Sequence, residues 1–192
     1  MQLEQRIQRI GNEIVHIVRR LETLGYQFSD PTGVLPGPEP ATETAIERIE
    51  AESGLLPAAI KVFWRSVGSV NLIGHHPNWQ NDSYSDPLVV FPPSIAISEL
   101  AEFLSDREER LKYNSPYLIP IAPDYLHKAG VSGGMWYNLS VPAVADDPPL
   151  NDEPHRLTFV EYLEYAVSWG GFPGLDSYPE HNWPLDKVTG KM

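Results

Sequence analysis

The chain has 192 residues, one domain's worth on the usual scale of about 100–200 residues per domain, and at that size about two-thirds of the unfolded surface can be buried without disulfides. Fourteen Lys and Arg against 26 Asp and Glu give a net charge of −12 and a pI near 4.8, which argues against neutralising a phosphate backbone and so against nucleic acid as a partner. The absence of cysteine excludes thiol nucleophiles and thiolate metal sites; no apolar run approaches the ~20 residues of a membrane span, and the polar N-terminus lacks a signal-peptide core, so a cytoplasmic location is expected.

Residues 1–24 read as an amphipathic helix. Leu3, Ile7, Ile10, Ile14, Ile17, Leu21 and Leu24 recur at spacings of three and four, which sets them on one stripe, and Val15 and Val18 widen it. So wide a face favours packing on the chain's own body and a monomer; a homodimeric coiled coil through this helix is the alternative. Four arginines (Arg6, Arg9, Arg19, Arg20) exceed three glutamates (Glu4, Glu13, Glu22), leaving −13 for everything after the helix. Residues 25–42, with Pro31, Pro36, Pro38 and Pro40, read as a linker, because proline suits neither helix interior nor central strand.

A second helix follows, with Thr44 and Glu47 as a capping box, Ile46 and Ile49 facing inward, and Gly54 as the stop. Pro57 suits the first position of a third helix, which buries Ile60, Phe63, Trp64 and Val67 and ends at Gly68. Ser69 to Gly74 and Leu88 to Phe91 read as strands, separated by a polar loop that includes Asn78, Trp79 and Asn81. Ser98 is expected to cap a helix with Leu100, Phe103, Leu104 and Leu111 on its inner face. Tyr117 to Ile121 and Gly134 to Val141 are further strands, and Thr158 with Glu161 opens a last helix carrying Phe159, Leu163, Ala166 and Trp169. Strands in a run broken by one helix, without regular βαβ alternation, predict an α+β class.

Catalytic patterns are sparse. There is no Gly-x-Ser-x-Gly elbow, and the six histidines stand in unrelated contexts. His75 and His76, with Asp82 and Asp86 downstream, give the one weak case for metal-dependent hydrolysis, but adjacent residues of an extended loop point apart. Gly170 and Gly171 follow a helix, where glycine makes a C-terminal cap, instead of preceding one as in a phosphate loop. The neighbouring pairs Glu108–Glu109 and Asp146–Asp147 read as solvated charge. No catalytic, cofactor-binding or metal-binding residue is therefore assigned, and the chain is expected not to be an enzyme.

The ordered set Ile46-Glu47-Arg48-Ile49-Glu50, Gly54-Leu55-Leu56-Pro57, Ile60, Phe63, Trp64, Gly68-Ser69-Val70-Asn71, Asp86-Pro87-Leu88, Ile121-Ala122-Pro123-Asp124, Ser132-Gly133-Gly134 and Trp169-Gly170-Gly171-Phe172-Pro173-Gly174 resembles the SUKH superfamily. That superfamily includes fungal cell-wall-synthesis regulators of the Smi/Knr type and bacterial immunity proteins. The resemblance spans residues 43–174 and implies there a single α+β domain, its antiparallel or mixed curved sheet flanked by helices, that works by binding proteins, with a C-terminal tail at 175–192. Leu56, Pro57, Phe63, Trp64, Gly68, Trp169, Gly170, Gly171 and Phe172 are the residues expected to specify the fold. The expected role is immunity against a cognate toxin, with regulatory scaffolding as the alternative. Two acidic concentrations, Glu43, Glu47 and Glu50 on the second helix and Asp146, Asp147, Asp152 and Glu153 in a Pro-rich loop, are the candidate surface for a basic, nuclease-like partner.

Overall fold

A computed structural model describes residues 2–80, 84–105, 116–131, 134–178 and 180–190. Asn81, Asp82, Glu108, Glu109, Leu111, Ser132 and Gly133, named above, lie outside the described residues. The architecture is α+β.

Helix α1 (Leu3–Leu24) buries Ile7, Ile10, Ile14, Ile17 and Leu21, the stripe read from their spacing. Gly25 closes it in the left-handed region (φ 90°), a conformation open to glycine at little cost. The stripe faces α3 (Ala58–Ser66), α6 (Phe159–Ser168) and α7 (Leu185–Thr189), so it is covered by the chain's own core. The approach to α3 is close: a Cβ on Gly11 would stand 2.9 Å from Val67 Cγ2.

Three antiparallel two-stranded ladders replace the expected curved sheet. β1 (Gln27–Phe28) pairs with β3 (Gly74–His75), β2 (Val70–Asn71) with β4 (Val89–Val90), and β5 (Tyr117–Ala122) with β6 (Tyr137–Val141). Leu72 N–H to Leu88 O at 2.9 Å extends the β2–β4 ladder by one pair, and Phe91 N–H to Ile121 O at 2.8 Å links it to β5. Helix α4 (Pro93–Ser105) lies on α2 (Thr42–Ser53) and β5, and the short α5 (Tyr125–Lys128) follows β5.

Several expectations need correction. α2 begins at Thr42, so Thr44 sits inside the first turn and caps nothing; the Thr42 hydroxyl donates to Glu39 O instead. α4 begins at Pro93, which places Ser98 mid-helix, its hydroxyl turned back to Ser94 O. Pro57 stands one residue before α3, and the strand expected from Ser69 to Gly74 breaks into β2 and β3. The capping box of Thr158 and Glu161 is present in full.

Residues 25–42 are not a free linker. They contribute β1, bury Tyr26 and Val34, and accept a bond from Asn71 N–H at Val34 O. Nor do residues 175–190 trail away: Leu175, Trp183 and Val188 are buried, and the Arg20 guanidinium donates to Val188 O and Thr189 O at the end of α7. The fold-specifying residues lie largely in the core. Phe63, Trp64 and Phe172 are fully buried, Leu56 and Pro57 are buried, and the Trp64 indole donates to Phe91 O at 2.9 Å; Trp169 is only half-buried. Gly68 (φ 87°) has no room for a side chain against the Gly37 carbonyl, and Gly171 (φ 92°) packs on Leu72 while its carbonyl accepts from Leu88 N–H.

Ile14→Asp places a carboxylate in a fully buried position and should destabilise the fold by about 3–5 kcal/mol or unfold it. Thermal melts with sedimentation decide the matter; a folded mutant that only loses a dimeric state would contradict the packing described.

Candidate protein-binding surface

The polar groups fall into an interior set and a surface set. Inside, the Lys128 ammonium, with its side chain wholly buried, donates to Asp86 Oδ1 at 2.6 Å and to the Tyr162 hydroxyl at 3.3 Å, and lies 5.1 Å from the centre of the Tyr137 ring. Burial, reinforced by the Asp86 charge, pushes both the Tyr137 and Tyr162 hydroxyls well above the ordinary phenol range. Both therefore stay neutral. Asp124 caps α5 by accepting from His127 N–H, and its carboxylate also meets His127 Nδ1 at 2.8 Å. Gly134 rests against that carboxylate, which would collide with any Cβ there. These groups lock β5, α5 and β6 together.

His76 is committed to structure in the same way. His76 Nε2 contacts Leu24 O at 3.1 Å, Asn78 N–H donates to Nδ1 at 3.2 Å, and the ring stacks on Trp79 with centres 4.3 Å apart. A ring that accepts at Nδ1 is neutral and donates from Nε2, so His76 caps the last turn of α1. His75 is exposed on β3, and Asp86 is engaged by Lys128. His75, His76 and Asp86 thus have different surroundings, and among the described residues no three His, Asp or Glu side chains converge as metal ligands. His155 lies between Glu153 and Asp176, with both ring nitrogens on carboxylate oxygens.

The first part of the acidic loop meets the turn that follows the acidic helix. The loop after β6 runs beside the α2–α3 turn, with Ala143 N–H donating to Leu55 O at 2.8 Å and Ala59 N–H to Asp146 O at 2.9 Å. Gly54 (φ 103°) leaves space for Pro142, which a Cβ would approach to 2.8 Å. Two large aliphatic side chains stand out at this seam: Leu55 is 67% exposed and Val144 96%.

The expected acidic residues take different roles around it. Glu47, Asp146 and Asp152 are exposed and make no ion pair among the described residues, and Glu52 joins them. Glu43 forms a two-pronged pair with Arg65, at 2.7 Å to each nitrogen. Glu50 is half-buried; it accepts from Leu56 N–H at 3.0 Å and from Lys61 Nζ at 2.7 Å. Burial would raise the Glu50 pKa, but the Lys61 and Leu56 bonds outweigh it and hold the carboxyl below its usual range. Asp147 Oδ1 accepts from Val160 N–H in the first turn of α6.

Glu153 is a correction. Its side chain is 2% exposed and its carboxylate accepts from the backbone of His155 and Leu157, so it ties its own loop and faces no partner. Sequence reading also missed Leu55 and Val144, whose only signal was two aliphatic residues in segments rich in proline, glycine and acid. No family model, curated protein or solved structure matches the chain.

Removing one member of a buried ion pair strands the other, at a cost of about 3–5 kcal/mol. Lys128→Met should show that loss in urea titrations, and Asp86→Asn combined with Lys128→Met should recover part of it. Additive single and double effects would mean the pair is not coupled.

Proposed function

We propose that this chain is a cytoplasmic, non-enzymatic protein-binding module that neutralises a basic toxin, nucleases included, by stoichiometric capture. The observation that supports this most is that Leu55 and Val144 are both exposed where the Ala143 N–H to Leu55 O bond joins their segments, and that the same segments carry the exposed carboxylates Glu47, Glu52 and Asp146. Apolar anchors desolvated at the centre of a polar rim supply most of the affinity in protein complexes. The rim charges act differently. They speed encounter with a cationic surface and lose force as salt screens them. The resemblance to the SUKH superfamily points the same way. The interior groups do not compete for this role, because Lys128, Asp86, Asp124, His76 and His155 are each held by neighbours in the fold. Among the described residues, no helix is long and apolar enough to cross a membrane.

Co-purification with the products of adjoining genes, followed by binding kinetics, tests the proposal. Leu55→Asp with Val144→Asp should abolish capture while leaving the melting temperature almost unchanged, since both side chains are solvated in the free chain. Glu47→Lys with Asp146→Lys should slow association about tenfold at low salt and flatten its salt dependence. Glu43 and Glu50 are unsuitable for that purpose, because reversing them breaks pairs with Arg65 and Lys61. Capture that survives the Leu55/Val144 change would sink this surface; an acidic partner would sink the electrostatic argument.

A further inference from the structure

We propose that Glu153, His155 and Asp176 form a proton-operated clasp that orders the limb 152–157 of the acidic loop against the 3₁₀ turn at Pro173–Ser177. His155 Nδ1 lies 2.9 Å from Glu153 Oε1, and Nε2 lies 3.1 Å from Asp176 Oδ2. Carboxylate oxygens only accept, so the ring satisfies both when it carries two N–H groups. Neutral imidazole has one donor, and its other nitrogen would turn a lone pair toward a carboxylate.

The two carboxylates are anchored independently of the ring. Glu153 accepts from His155 N–H and Leu157 N–H, both at 3.0 Å. Asp176 accepts from the hydroxyls of Tyr165 and Ser177. The Nε2 contact is accordingly the link between limb and turn that a proton controls. The limb also carries backbone strain: Asp152 (φ 62°) and Arg156 (φ 58°) are non-glycine residues in the left-handed region. Release of the clasp lets that strain relax. Beyond residue 152 toward the N-terminus the loop stays tied, through the exchange of backbone bonds between Asn138 and Asn151.

The titratable groups facing the ring are Glu153 from its own loop, Asp176 from the 3₁₀ turn and Tyr165 from α6, whose ring centre is 4.9 Å away. Burial alone would lower the imidazole pKa, but the bonds and charges of Glu153 and then Asp176 outweigh it and raise it above 6.5. Burial likewise raises Asp176, and the bonds from Tyr165, Ser177 and His155 more than reverse that. Tyr165, pushed up to about 12 by burial and then by Asp176, stays neutral through the range that matters. A group whose folded pKa is raised stabilises fully below its unfolded value and loses that contribution as pH rises through the folded one. Asp176, with a lowered pKa, loses its contribution as pH falls through its folded value. The clasp is therefore firmest between about pH 4 and 6.5 and opens on the alkaline side.

Any effect on partner capture rests on the protein-binding reading above; the clasp does not. Two measurements on the full chain test it. NMR titration of the imidazole Cε1–H signals, with His155 assigned by its loss in His155→Gln, should give a midpoint above 6.5 that Asp176→Asn moves down. Arg156 is exposed, so trypsin cleavage after it reports opening of the limb. Relative to a free peptide of residues 150–162 at the same pH, cleavage should rise about three- to tenfold from pH 6.5 to 9, as expected for local opening. His155→Gln and Asp176→Asn should cleave quickly at both pH values; circular dichroism confirms that each is folded. A midpoint at or below 6.5, or a cleavage ratio independent of pH, would overturn the proposal. Failure to capture any protein would overturn only the reading in the preceding subsection, so the two failures are distinguishable.

Discussion

One face of α1 must be kept from water, and much of the rest of the molecule is arranged to do so. Each of Ile7, Ile10, Ile14, Ile17 and Leu21 gains roughly 1.5–3 kcal/mol by burial, and no single neighbouring element is long enough to cover all five. α3 comes from the first half of the chain and α6 and α7 from its last quarter, yet all three lie on this helix. The polar margins of α1 reinforce the arrangement. Arg6 and Arg9 reach Glu164 on α6, Arg20 caps α7, and His76 accounts for the carbonyl of Leu24. Gly11 supplies the remaining condition, an absent side chain where α3 passes close.

A net charge of −12 conceals two kinds of carboxylate. Asp86, Asp124 and Glu153 are buried, and each has a specific donor or cation. Glu47, Glu52 and Asp146 stand in water. The first kind carries a desolvation cost that only good geometry offsets, and so holds segments in place. The second kind costs nothing to expose and remains available to the field of an approaching protein. Glu50 is intermediate, with one carboxylate serving both the Leu56 backbone and Lys61.

Local features were legible in the sequence. The α1 stripe, the Thr158–Glu161 box and the Gly54 stop depend on spacings of a few residues, and helical geometry turns such spacings directly into contacts. Thr44 and Ser98 misled because Ser and Thr with a nearby acid occur inside helices as well as at their starts, and the true first turns began at Thr42 and Pro93. The burial of Glu153 could not be read, since it depends on how the chain folds back over it. Lys128 and Asp86 are 42 residues apart and Arg6 and Glu164 158, so no window of sequence shows either pair. The Pro-rich stretch at 31–40 illustrates another limit: lack of regular secondary structure does not mean lack of packing, and Val34 is buried all the same.

The order in which the covering elements are made follows from the placement of α1. During translation α1 leaves the ribosome before α3, and α6 and α7 begin only at Phe159 and Leu185. At ordinary elongation rates an oily helical face waits on the order of ten seconds for its last cover. Chains cut short before Val188 keep part of that face wet, and a nascent polypeptide in that condition is a natural substrate for chaperones and proteases. Concealment of the α1 face thus waits on segments far along the chain, and a polypeptide that has made α1 and α3 but neither α6 nor α7 exposes apolar surface.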